Sequence, residues 1–209
     1  MTVVGRNRTV GIVNYQAGNI HSIDSAFSCL GANTVRIRAV ADFAVCTHVV
    51  LPGVGAFGFC SAQLQASGLV DELRRWALDD HRPMLGICVG MQLLADASEE
   101  SPEAKGLGWI GGAVQRIPDN ASIRVPHVGW NTVQFDRACA DYPAGSTADF
   151  YFDHSYAYQE PRHGNSVGSC AHGTQFNAIV QRDSIIAVQF HPEKSQSAGM
   201  RFLGGFLRH

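Results

Sequence analysis

The chain has 209 residues, of which 45% are hydrophobic and 16% charged, with a formal net charge of −2. That length supports a substantial core in about one domain without disulfide staples, and the near-neutral balance supplies no field to recruit nucleic acid. No apolar run approaches ~18 residues, so no membrane span is expected, and the opening MTVVGRNRTVGIVNY lacks a signal-peptide core, which points to the cytoplasm.

Along the chain, TVGIVNY (Thr9–Tyr15) reads as a strand that ends at the turn-forming QAGN. Ile20, Ile23, Ala26, Phe27 and Leu30 follow at helical spacing, with Gly31 as a stop. TVRIRA and THVVLPG (Thr47–Gly53) read as the next strands, LVDELRRWALDDH as an amphipathic helix, PMLGIC as a short buried strand and VGMQLLADAS as a helix. This alternation predicts a mostly parallel sheet covered on both faces. In the second half, GGAVQRI, WNTVQF, DFYFDHSYAY, VGSCAHG, FNAIVQRD and IIAVQFHP are β-rich segments between turn residues. They predict antiparallel strands extending the sheet. SAGMRFLGGFLRH closes as a helix. The expected fold is a single α/β domain over residues 1–209.

Six cysteines are present: Cys29, Cys46, Cys60, Cys88, Cys139 and Cys170. None forms CxxC, so no zinc or dithiol motif is expected, and most are expected as reduced, buried, small hydrophobes. Cys88 differs. It lies in Gly86-Ile-Cys-Val-Gly90, where a strand should hand over to a helix. The serine version of that pattern is the nucleophile elbow. A tight turn presents the side chain at a helix N-terminus, where free N–H groups favour a thiolate. The N–H of Val89 can face a developing oxyanion. The bland alternative is a buried cysteine in a glycine-rich packing turn. A thiolate used in acyl transfer needs an acid/base partner. His191, in AVQFHPEKS, follows an apolar strand that Pro192 stops, and Glu193 can fix its tautomer.

Together LPGVGAFG, GICVGMQLL and AVQFHPEKS resemble the class I, triad-type glutamine amidotransferases. NYQAGNIHS, VPHVGWN (Val125–Asn131) and HSY (His154–Tyr156) are similar to the glutaminase subunits of imidazole glycerol phosphate synthases of histidine biosynthesis. The resemblance runs from about Val10 to the last helix. It implies that Cys88 attacks the carboxamide of L-glutamine, that His191 moves the proton, and that Glu193 stabilises the imidazolium. A thioester forms and water releases L-glutamate, with no metal and no organic cofactor. The PGVG loop (Pro52–Gly55), at the carboxyl edge of the sheet, is implied to supply an oxyanion N–H from Val54 that turns inward when the acceptor binds. Gly53, Gln92, His154, Ser155 and Tyr156 are implied substrate contacts. Asn14, Asn19 and Trp130 are implied contacts with a (β/α)8-barrel cyclase. That partner forms a heterodimer with the chain and receives ammonia through a channel to make imidazole glycerol phosphate and an aminoimidazole carboxamide ribotide.

Some positions depart from the family pattern. Asn14 stands where Asp is usual, Gln16 and Ala17 replace a glycine-rich start, Asp153 replaces an apolar residue and His172 replaces Tyr. None belongs to the triad. They leave a second acceptor open, since related subunits supply ammonia for amidino sugars of surface polysaccharides. A catalytically dead scaffold on the same fold and a cysteine peptidase or thiol hydrolase using the same elbow are alternatives of other classes. The intact Cys88, His191 and Glu193 argue against the first. The PGVGAFG loop and Gln92 argue against the second.

Overall fold

A computed structural model describes residues 7–119, 123–159 and 164–209. The first half runs β1 (Thr9–Val13), α1 (Ile20–Cys29), β2 (Asn33–Ile37), β3 (His48–Leu51), α2 (Phe57–Ala66), α3 (Val70–Arg74), β4 (Met84–Ile87) and α4 (Val89–Gln92). The second half runs β5 (Ala97–Ser98), β6 (Ala113–Arg116), β7 (His127–Phe135), β8 (Thr147–His154), β9 (Tyr156–Gln159), β10 (Ser166–His172), β11 (Thr174–Arg182), β12 (Ile185–Val188) and α5 (Gln196–Phe206).

A nine-stranded sheet has the order β2-β1-β3-β4-β12-β11-β10-β7-β8. Its β2-β1-β3-β4-β12 half is parallel, and the remainder is antiparallel. The expected architecture is present: a parallel sheet extended by antiparallel strands. In β3, β4 and β12 every residue is buried, as strands covered on both faces require. The outer strands β7 and β8 alternate in burial instead. Strands β5, β6 and β9 form a separate three-stranded sheet, whereas the β6 and β9 segments were expected in the main sheet and Ala97–Ser98 at the end of a helix. One apolar core spans both halves, and α5 seals it by setting Phe202 against Phe150 and Phe190, and Phe206 against Phe27.

Three elements differ from their sequence expectation. Helix α2 was not anticipated, although Phe57, Cys60, Ser61 and Leu64 occupy one buried face. Its first N–H groups are satisfied from far along the chain: Phe57 N donates to Glu100 at 2.7 Å and Gly58 N to Ser101 Oγ at 3.2 Å. The helix expected over VGMQLLADAS is a single turn. The carbonyls that would extend it are taken by a returning segment, through Leu107 N to Leu93 O, Trp109 N to Leu94 O and Gly108 N to Ala95 O. DFYFDHSYAY divides at Ser155, so β8 ends the large sheet and β9 enters the small one. All six cysteines are free, and five are buried. No helix among the described residues is long and apolar enough to cross a membrane.

Candidate active site

The site begins with two neighbouring parallel strands. β4 and β12 pair with Ile87 opposite Val188, and Cys88 N donates to Val188 O at 2.8 Å. Residues 88 and 191, far apart in sequence, therefore leave the same sheet edge side by side. Cys88 has φ 54° and ψ −114°, a strained conformation for a non-glycine residue, as a nucleophile elbow requires. Its carbonyl accepts from Met91 N and Gln92 N, which locks the turn. The flanking glycines are needed for close approach. A Cβ on Gly90 would lie 1.9 Å from Leu51 O, and one on Gly86 would lie 3.1 Å from Gly90 O. Because α4 is one turn long, its dipole adds little; strain and nearby donors position the sulfur.

His191 follows β12 and is held at both backbone ends. Its N–H donates to Tyr151 O at 2.9 Å, and its carbonyl accepts from Ser195 Oγ at 2.6 Å. Pro192 opens a 3₁₀ turn that carries Glu193 back beneath the ring. There His191 Nδ1 donates to Glu193 Oε1 at 2.9 Å, with both side chains buried. Burial pushes the imidazole pKa down. The hydrogen-bonded Cys88 sulfur and the Glu193 carboxylate outweigh it and lift the value to about 10. The arrangement is a buried imidazole held between a sulfur and a carboxyl group, both of which favour its protonated form.

Cys88 and His191 open into a cavity of about 260 Å³, with Glu193 buried behind the imidazole. Val54, Val89, His154, Ser155 and Tyr156 line it as well. A strained thiol beside a fixed imidazolium, with backbone N–H groups at hand, can perform acyl transfer.

The model of the family described as glutamine amidotransferase class-I matches residues 12–208. The chain belongs to the class-I glutamine amidotransferase family. Curated relatives in the family include the imidazole glycerol phosphate synthase subunit HisH of Ruegeria pomeroyi, 41% identical over 94% of this chain and 96% of that protein. The same-named subunit of Zymomonas mobilis is 43% identical over 95% of each chain, and that of Moorella thermoacetica is 41% identical over 97% of each. Among solved structures, a glutamine amidotransferase crystal structure superposes with a TM-score of 0.74 at 20% identity, covering 95% of this chain and 97% of that one. A chain of the PurLQS structure from Thermotoga maritima gives 0.75 at 16% identity, covering 96% and 98%. These two likenesses extend the fold alone. The chain is a glutamine amidotransferase enzyme with the α/β fold of that family.

The amidotransferase cavity gathers most of the residues singled out from sequence, but not all. Gln92 lies at the end of α4, its Nε2 donating to Tyr156 O at 2.9 Å and to Gln189 Oε1 at 3.2 Å. Gly53 does not line the cavity. It packs behind the elbow, where a Cβ would lie 2.6 Å from Gly90 N. Asn19 caps α1 by accepting from Ser22 N at 3.4 Å, and the half-buried Asn14 holds β2 through its N–H to Ile37 O. Trp130 is 49% exposed on β7, outside the cavity, with its ring edge-on to Tyr151. Of the departing positions, Asp153 lines the cavity, and the His172 ring stacks on His127 at 4.0 Å, a contact any planar aromatic can make.

The sequence reading missed Gln189, Glu100 and His127. Gln189 is fully buried and places Nε2 3.7 Å from Cys88 Sγ. Its signal was a polar residue inside the apolar run Val188-Gln-Phe190, which must find partners if buried. Glu100 lines the cavity while capping α2. His127 Nδ1 donates to His154 Nε2 at 2.9 Å. His127 and His154 are both pushed down, to about 3 and about 4, first by burial.

Proposed function

We propose that this chain is the glutaminase subunit of an imidazole glycerol phosphate synthase in histidine biosynthesis. It hydrolyses L-glutamine to L-glutamate and ammonia in the cytoplasm and delivers the ammonia to a separate (β/α)8-barrel cyclase subunit, as one half of a heterodimer. The observation that carries the reading is the His191 ring, hydrogen-bonded to Glu193 on one side and facing the Cys88 sulfur on the other. Near-full-length relatives at about 40% identity that bear the synthase-subunit name support it. They favour the histidine-pathway acceptor over the amidino-sugar one. The chain, residues 1–209, is read as one domain, in line with the single apolar core among the described residues.

In this reading the proton sits on His191 before substrate arrives, so attack needs no prior base step. The Cys88 thiolate bonds to the carboxamide carbon, and the N–H groups of Val54 and Val89 receive the oxyanion. His191 gives its proton to the departing ammonia as the C–N bond breaks. A water then attacks the thioester and gives its proton to His191. The C–S bond breaks, its electron pair returns to sulfur, and glutamate leaves. Glu193 stabilises the imidazolium at both ends of the cycle. At the amino-acid end of the substrate, both N–H groups of Gln92 are already engaged, so it offers only Oε1, an acceptor. With the carboxylates of Glu100 and Asp153, that acceptor suits the α-ammonium group. Ser155 and Tyr156 are left to face the α-carboxylate. Ammonia in bulk water is protonated and poorly nucleophilic, so a protected path to the partner is required. Trp130, Asn14 and Asn19 are assigned to the face that meets the cyclase.

The test is glutamate release from glutamine by the chain alone, with a histidine-pathway cyclase and its ribulosyl-formimino nucleotide, and with a sugar-amidating enzyme. Release should be weak alone and rise with the cyclase. No release from folded protein under any condition, or stimulation by the sugar enzyme only, would overturn the assignment.

A further inference from the structure

We infer that Gln189 is a further catalytic residue, whose side-chain N–H donates to the Cys88 sulfur and stabilises it as the leaving thiolate when the thioester breaks down. The inference rests on the reading of Cys88 as the nucleophile.

Gln189 has no exposure to solvent, so its amide must be satisfied internally. Which end faces the sulfur follows from groups that cannot be reversed. The Tyr156 carbonyl can only accept, and it receives Gln92 Nε2 and His154 Nδ1, each at 2.9 Å. That identifies the Gln92 nitrogen, whose second hydrogen points to Gln189 at 3.2 Å. The Gln189 atom there is therefore oxygen, and its nitrogen lies 3.7 Å from Cys88 Sγ. Reversing Gln189 would set N–H against N–H on one side and carbonyl oxygen against sulfur on the other. The first contact is repulsive whatever the state of the sulfur, and it alone fixes the orientation.

The other arm makes the carbonyl anchor rigid. His154 is neutral and donates through Nδ1, so its Nε2 accepts from His127 Nδ1. His127 Nε2 in turn accepts from Asn131 Nδ2 at 3.1 Å, and that same amide donates to Ala171 O at 3.0 Å. Every bond in both arms thus has one direction, and the Tyr156 carbonyl is the shared acceptor.

Among ionisable groups, Cys88 faces His191, Cys60 and Tyr15, with Glu100, Asp153 and His154 around the cavity. Burial pushes the Cys60 thiol up to about 11 and the Tyr15 hydroxyl well above its usual range, so both are neutral. The Tyr15 hydroxyl already donates to Pro52 O and the Cys60 thiol to Val54 O, so the side-chain donors that meet the sulfur are the His191 ring and Gln189. During deacylation the two separate. His191 is occupied with the proton of the attacking water, and Gln189 is the donor free to meet the negative charge returning to sulfur as the C–S bond breaks. In acylation the same bond loosens as sulfur gives its electron pair to carbon, so Gln189 helps that step least.

The test is Gln189→Leu in the full chain, read by steady-state kinetics and by intact mass after acid quench. Deacylation should slow about tenfold, the worth of one hydrogen bond to a charged group. Both kcat and KM should then fall together while kcat/KM holds within about twofold, and a Cys88 thioester should accumulate. An unchanged kcat in folded Gln189→Leu, or a fall in kcat/KM with no thioester, would overturn the inference. A variant that does not fold is bypassed in the unsubstituted chain. There the Gln189 side-chain amide resonances should move when Cys88 is alkylated, and fixed resonances would overturn it equally. An active Cys88→Ser variant would instead mean that the nucleophile itself was misassigned.

Discussion

Two buried imidazoles line one cavity and are held in opposite charge states. At the tip of β12, His191 is lifted to about 10; at the tip of β8, His154 is pushed to about 4, with His127 behind it at about 3. Burial acts on all three in the same direction, so burial does not decide the outcome. Partners do. His191 touches a sulfur and a carboxylate, whereas His154 touches a carbonyl and another imidazole. The same side chain becomes a proton donor in one place and a neutral strut in the other.

Removing the sulfur should break the contrast most completely. Cys88→Ser should cut glutamate release by about 10³-fold or more, and the His191 pKa should fall as its first supporting partner disappears. Glu193→Gln attacks the second partner. It should lower kcat by roughly 10²–10⁴ and also lower the His191 pKa, read by ring-nitrogen chemical shifts. Val54→Pro removes one proposed oxyanion donor and touches neither imidazole. It should cost about 10²–10³ in rate with both histidine titrations unmoved.

The smallest effects are in stability. The unfolded chain takes up protons on His127 and His154 near the ordinary value of 6.5, while the folded chain refuses them until about 3 and 4. Their contribution is therefore complete above 6.5 and is lost as pH falls toward 4. His191 behaves oppositely: its contribution is complete below 6.5 and is lost as pH rises to about 10. Urea midpoints across pH should show both limbs. His127→Phe should cost about 1–3 kcal/mol by leaving His154 Nε2 unpaired and should flatten the acid limb only. Trp130→Ala should change the stability of the isolated chain by less than ~0.5 kcal/mol, and its effect should be read as weaker binding to the cyclase.

The elbow was legible in sequence because steric need writes itself locally. Gly90 follows Cys88 where no Cβ fits, Gly86 precedes it where one would press on the Gly90 backbone, and Pro192 opens the 3₁₀ turn that carries Glu193 after β12 has ended at Val188. The parallel half was legible for the same reason, each strand being a short apolar run between turn residues. Helix α2 was not, because its cap comes from Glu100 and Ser101, on a segment brought near only by folding. The length of α4 was hidden likewise, being set by the return of Leu107–Trp109. Gln189 and His127 read as strand residues, since their partners Gln92 and His154 come from other elements.

The account depends above all on His191 being a cation beside Cys88. Side-chain nitrogen spectra of the isolated chain across pH measure this directly. Both His191 ring nitrogens should stay protonated through neutral pH and release a proton near about 10, while His154 stays neutral down to about 4. A His191 ring already neutral at neutral pH, titrating low beside His154, would contradict the account.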